Sequence, residues 1–192
     1  MRIGAALTTG LLLFWGAAAP AGAEVERWSV IRDQSSIAMS VRALGMRHAG
    51  EFASWTSSDI RFDPGAPERA QATIDVRAGS LSMRERGLTQ RAVGPDFLDA
   101  EHYPTIRFRL RSVARDDRSS QLTARADATI KGRTRPVSFP LAVTHLGDVD
   151  RMTGGFVLDR TTYGVGSSGG LNSLIGRDVR IDVVLTLRRT AP

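Results

Sequence analysis

The chain has 192 residues, no cysteine, and a formal charge of +6 from 26 basic and 20 acidic side chains. That length supports one domain with its own core, and the lack of cysteine excludes disulfide staples and thiol nucleophiles. Lys131 is the only lysine, and the arginines are interleaved with Asp and Glu, which argues against a nucleic-acid-binding face, since such a face gathers its charge.

Residues Met1 to Ala23 read as a cleaved secretory leader. Arg2 is the only charge, Leu11-Leu12-Leu13-Phe14-Trp15 centres the apolar run, and Ala21-Gly22-Ala23 offers small residues for cleavage. The apolar block is short for a membrane span. The mature domain is then 24–192, left with no stable membrane anchor. An exported domain without disulfides fits a bacterial periplasm.

The mature chain alternates. Trp28-Ser29-Val30-Ile31 opens as a short strand, and Asp33-Gln34-Ser35 turns it. Ile37, Met39 and Val41 mark a second strand, turned at Leu44-Gly45-Met46. His48 to Phe52 makes a third, where Gly50 signals a bulge or a close backbone approach. Ile60 and Phe62 belong to a fourth, stopped by Asp63-Pro64-Gly65. Ala70, Ala72, Ile74 and Val76 form a fifth. Alternation then stops from Ser80 to Tyr103, where Ser82 and Glu85 have the spacing of a capping box for a short helix limited by Gly87 and Gly94-Pro95. Ile106, Phe108 and Leu110 resume with a sixth strand. Leu122 to Ile130 and Val137 to Val143 make a long hairpin around the break Lys131–Pro136. Gly154 to Leu158 is a ninth strand, a Gly/Ser loop runs from Gly164 to Gly176, and Val179 to Leu187 is the last.

About ten alternating strands with one helical excursion predict an all-β antiparallel barrel, because closure leaves no exposed edge. An inward apolar face proves a core and not a hollow. Ala70, Ala72, Ala124, Ala126 and Ala128 on inward faces fit either tight packing or room for a guest.

Catalytic signals are weak. His48, His102 and His145 are the only histidines, none at metal-ligand spacing. Ser167-Ser168-Gly169-Gly170 lacks the strand-then-helix frame of a nucleophile elbow. The chain therefore reads as a non-enzyme without catalytic residues, metal or cofactor.

Several segments together carry a resemblance. They are Trp28…Ser35-Ser36-Ile37…Val41…Leu44-Gly45…Gly50-Glu51-Phe52, Ile60-Arg61-Phe62-Asp63-Pro64, Asp75-Val76…Gly79-Ser80-Leu81, Asp96-Phe97-Leu98-Asp99…Tyr103-Pro104-Thr105-Ile106-Arg107-Phe108, Ala128 to Val137, Asp159-Arg160-Thr161-Thr162-Tyr163-Gly164 and Ile175-Gly176-Arg177-Asp178-Val179. In this order, across nearly all of the mature chain, they resemble the YceI family. The resemblance implies a lipocalin-like barrel, exported, with a helix in the excursion and an elongated apolar cavity for a polyisoprenoid or other long-chain amphiphile. The chain departs from the family at Ala43, where His is frequent, and at Leu88–Val93, where an Arg-Asp-x-His-Leu motif is frequent.

Such a cavity gives the expected binding residues: Ile37, Met39, Val41, Phe52, Ile60, Phe62, Ile74, Phe97, Ile106, Phe108 and Leu110 as lining, with Arg42, Arg84, Arg86 and Arg91 near turns for a polar head. The expected role is a periplasmic carrier of an isoprenoid lipid, isoprenoid quinone or similar fatty amphiphile. A lipid ester or amide hydrolase, or a ligand-free interaction or stress protein, are the alternatives. Homodimerisation is compatible with the sequence, though no motif marks it.

Overall fold

The computed structural model describes residues 27–62, 66–116, 121–167 and 170–190. The leader Met1–Ala23, the turn Asp63-Pro64-Gly65 and Ser168-Gly169 of the Gly/Ser loop lie outside the described residues.

Among the described residues, eleven strands form one antiparallel sheet: β1 (Arg27–Val30), β2 (Ser36–Ala43), β3 (Met46–Phe52), β4 (Trp55–Arg61), β5 (Gln71–Arg77), β6 (Leu81–Met83), β7 (Thr105–Arg115), β8 (Leu122–Ile130), β9 (Arg133–Leu146), β10 (Val149–Asp159) and β11 (Ile175–Thr190). One α-helix, α1 (Arg86–Val93), sits in the excursion. The spatial order is β1-β4-β5-β7-β8-β9-β10-β11-β2-β3-β6, with β1 also paired to β11. Strand β11 is long enough to hold two partners on one edge. Its residues 175–184 pair with β2, and its residues 187–190 pair with β1. Strand β1 reaches β4 through Arg27 and Arg61, so the sheet curls round and meets itself at that end.

The β8–β9 hairpin follows its sequence pattern. Ala124, Ala126, Ala128 and Ile130 are buried, while Arg125 is exposed. The turn is only two residues, Lys131 and Gly132, with φ of 47° and 72°. Both positive values suit a tight hairpin whose twist matches the strands. The expected break through Pro136 is therefore shorter than its sequence indicated, and β9 resumes at Arg133. Pro136 and Pro140 are tolerated in β9 because its pairing with β10 covers only Leu141–Leu146. No second ladder needs their missing N–H groups.

Strand β7 carries a register shift between Leu110 and Ser112. An odd insertion there keeps Leu110 and Val113 on the same inner face, opposite Ala126 and Ala124. On the outer face, Arg107 donates to both Asp75 oxygens at 2.6 and 2.8 Å, and Arg111 Nε donates to Asp127 at 2.7 Å. The scattered arginines of the sequence are thus partly cross-strand ion pairs. Arg107 holds the Asp75 carboxyl below its ordinary value, mainly through that hydrogen bond.

The excursion differs from its sequence reading. Ser82 is not a helix cap: it belongs to β6, opposite Glu51 of β3, and α1 starts at Arg86 with no side-chain cap. Pairing with β3 holds Ser82 in extended backbone, which removes it from the helix. Thr89 serves the junction instead, its Oγ1 accepting the Met83 N–H at 2.9 Å. Gly50 is the close approach its position signalled. A Cβ there would lie 2.9 Å from Leu81 Cδ1, Met83 Cγ and the Ser82 carbonyl oxygen.

Candidate functional site

Among the described residues, the inner face of the sheet leaves two apolar chambers. The proximal chamber, about 130 Å³, lies under α1 and is walled by β2, β3, β5, β6, β7, β8, β10 and β11. The distal chamber, about 110 Å³, lies between β4, β5, β7, β8, β9, β10 and β11. Ile37 and Phe108 wall both, so these two side chains stand between the spaces. Exposed residues mark both outer ends: Arg91 on the proximal wall, Arg61 and Gln71 on the distal one.

All eleven apolar residues expected at a cavity wall lie on one. Ile37, Met39, Val41, Phe52, Phe97, Ile106 and Phe108 line the proximal chamber, and Ile60, Phe62, Ile74 and Leu110 the distal one. For nine of them the reason is the strand period, which sends alternate side chains to one face, whereas Phe62 follows the end of β4 and Phe97 lies in the turn after α1. The inward alanines divide between the two roles left open by the sequence. Ala70, Ala72, Ala124 and Ala126 line the distal chamber, whereas Ala128 is fully buried opposite Phe108. Around them the aromatic rings interlock. Phe139 stacks on Phe156 with centroids 5.1 Å apart, and Phe108 meets Phe156 edge-on at 5.8 Å.

Of the four arginines considered for a polar head, only Arg91 reaches a chamber wall. It projects from α1 and donates to Asn172 Oδ1 at 3.0 Å, with its guanidinium 5.6 Å from the Phe97 ring centroid. Arg42, Arg84 and Arg86 are exposed and stand outside both chambers, because β2 turns Arg42 to the outer face and β6 ends before Arg84.

Arg160 is the polar wall residue that sequence reasoning missed. It is 5% exposed, lines the proximal chamber, and donates five hydrogen bonds to main-chain carbonyls. Nε reaches Gly176 at 2.9 Å, Nη1 reaches Val165 and Gly166 at 2.7 and 2.6 Å, and Nη2 reaches Asn172 and Ile175 at 2.9 and 2.7 Å. All five guanidinium protons are used. Burial pulls its pKa below the ordinary arginine value, yet a guanidinium keeps its charge, and the carbonyl dipoles compensate it. Its position inside Asp159-Arg160-Thr161-Thr162-Tyr163-Gly164 was the available signal. Tyr163 beside it is 2% exposed, lines the same chamber, and has its phenol pKa raised by burial.

The three histidines face three separate carboxylates. His48 lines the proximal chamber with Nδ1 3.9 Å from Glu85, His102 bonds Asp99 at 2.7 Å, and His145 bonds Asp150 at 2.6 Å. The Ser167 hydroxyl donates to the Gly164 carbonyl at 3.3 Å. Among the described residues no group of three or more His, Cys, Asp or Glu could hold a metal ion.

Known proteins share this fold. BcnA of Burkholderia cenocepacia superposes with a TM-score of 0.76 at 21% identity, covering 82% of this chain and 99% of that one. A polyisoprenoid-binding domain from Saccharophagus degradans superposes with a TM-score of 0.64 at 11% identity, covering 85% and 98%. In sequence, a UPF0312 protein of Pseudomonas putida is 25% identical over 135 residues, which is 66% of this chain and 68% of that one. The YceI-like domain pattern matches residues 28–187, nearly the whole described sheet. With that span matched and a lipocalin-type curled sheet enclosing an apolar hollow, this chain belongs to the YceI-like domain family.

Proposed function

We propose that this chain binds the tail of a long-chain amphiphile, a polyisoprenoid lipid or isoprenoid quinone, and carries it through the periplasm after loss of Met1–Ala23. The observation that carries the reading is the pair of apolar chambers on either side of Ile37 and Phe108. The name of the Saccharophagus domain, a polyisoprenoid-binding protein of the same fold, supports it. Removing a hydrocarbon tail from water is worth about 25 cal/mol per Å² of apolar surface. The walls provide no directional contacts along most of their length, so affinity is set by tail length and bulk. At the proximal end we assign a polar or anionic head to Arg91, which lines the chamber and donates to Asn172 Oδ1. The reading is binding: the Ser167 hydroxyl donates to the Gly164 carbonyl and not to an imidazole, and the three histidines lie against three different carboxylates.

Lipid extraction and native mass spectrometry of chain purified from its own periplasm test this. A copurifying isoprenoid mass, and tighter uptake of longer-tailed quinones by stripped protein, are the expected results. Protein that is always empty and takes up no quinone of any length removes the proposal.

A further inference from the structure

The tip of the β2–β3 hairpin carries a leucine where the backbone favours other residues. Leu44 and Gly45 make a two-residue turn with φ of 50° and 78°. Such turns prefer Asn or Asp before Gly, because a larger side chain crowds the main chain at positive φ. The matching turn at Lys131-Gly132 has a contact in return: Lys131 Nζ donates to the Pro95 carbonyl at 2.8 Å. Leu44 is 70% exposed.

It is also not alone. Met46 is 61% exposed and Leu174 51%, and the Leu44 N–H donates to the Leu174 carbonyl at 3.2 Å, which ties the tip to the turn before β11. The patch adjoins Ala43 and Ile175, paired with each other in register and both on the proximal chamber wall. Arginines surround it. Arg42 and Arg47 pair across the hairpin, Arg84 and Arg86 follow β6 alongside β3, and Arg91 stands at the chamber. The acidic residues close by are Glu85, turned toward His48, Asp178, and its β10 partner Asp159, which is paired with Arg177. Local strain, an exposed apolar tip and an excess of cationic groups thus coincide at one end of the hollow.

We propose that this tip is a docking surface for an anionic lipid bilayer. Leu44, Met46 and Leu174 enter the interfacial zone, and the arginines meet lipid phosphates. Docking there brings the proximal chamber against the membrane that supplies or receives its amphiphile. The surface stands on strain, exposure and charge, and it rests on the lipid-carrier reading only for its purpose.

The test uses the delipidated mature chain and vesicles of phosphatidylglycerol with phosphatidylethanolamine, against vesicles of phosphatidylcholine alone. Co-sedimentation with the anionic vesicles, weakened by salt, is expected, with partition about tenfold weaker for Leu44→Asn and for Met46→Ser. Leu44→Asn installs a residue the turn prefers, so its melting temperature should hold or rise, which separates docking from folding. The proposal is overturned by no co-sedimentation, by Leu44→Asn binding as well as the parent, or by a dimer that Leu44→Asn converts to monomer. Quinone uptake is measured on the same samples. Lost uptake with docking intact sinks the carrier reading alone, and lost docking with uptake intact sinks this one alone.

Discussion

The Arg160 guanidinium carbon lies 5.9 Å from the centroid of the Phe97 ring, and both side chains wall the proximal chamber. The arginine also binds carbonyls from Val165 to Gly176, so one side chain fixes the chain that leads into β11. Arg160→Met should strand those carbonyls and cost about 3–5 kcal/mol, on the scale of a broken buried polar network. Arg160→Lys, with three donors, should recover part of that. Urea unfolding of the three proteins measures both effects.

Ala126 is 6% exposed, lines the distal chamber and sits opposite Leu110 and Val137. Ala126→Phe should fill that chamber and shorten the tail the protein accepts. Each excluded methylene is worth about 0.8 kcal/mol. Long-tailed quinones should therefore lose affinity while short-tailed ones bind as before, and titrating a tail-length series reads the difference.

Asp159 accepts from Thr161 Oγ1 and N–H at 2.6 and 2.9 Å, and from Arg177 at 2.6 Å. These bonds, the Thr161 hydroxyl first, hold its pKa down at about 2 from an ordinary 3.8. A depressed carboxylate stabilises the fold above its ordinary pKa and loses that contribution as pH falls through its folded value. The turn at Arg160–Tyr163 should thus hold above about pH 4 and loosen between pH 4 and 2. Asp159→Asn should flatten that part of the stability profile, which acid titration of the melting temperature checks.

His102 is held in the opposite sense. Its hydrogen bond to Asp99 raises the imidazole pKa above 6.5. The contribution is present in full below the ordinary value and fades as pH rises through the raised one. Proton NMR titration of the ring should place its midpoint above 6.5, and Asp99→Asn should bring it down.

Gly50→Ala should press a methyl against Leu81, Met83 and the Ser82 carbonyl. Overpacking of this kind costs about 1–3 kcal/mol. The main-chain contact cannot rotate away, so β6 should detach. Faster amide exchange at Leu81–Met83, with β8 unchanged, is the expected signature.

Much of the sheet was legible because period-two alternation survives wherever one face is buried, as along Ala124 to Ile130 and Val179 to Leu187. The inward set of residues followed from the same rule. Strand β6 was not legible: three residues, Leu81–Met83, are too few to show a period, and the capping-box spacing of Ser82 and Glu85 pointed elsewhere. Arg160 was missed because burial of a cation depends on five carbonyls from a loop folded over it, and spacing carries no trace of that. The gap between packed core and hollow was equally hidden. Ala126 and Ala128 look alike in sequence, yet Ala128 is fully buried opposite Phe108 while Ala126, opposite Leu110 and Val137, lines the distal chamber.

The seam between β1 and β11 joins Ser29 to Arg188, 159 positions apart. Neither neighbour of that seam can be completed until the final strand is available, so a partly emerged polypeptide lacks the staves that finish the cylinder. Assembly of this kind is slow, being dominated by remote contacts. Because β11 also walls both chambers, the apolar hollow is bounded only once that last stave has settled.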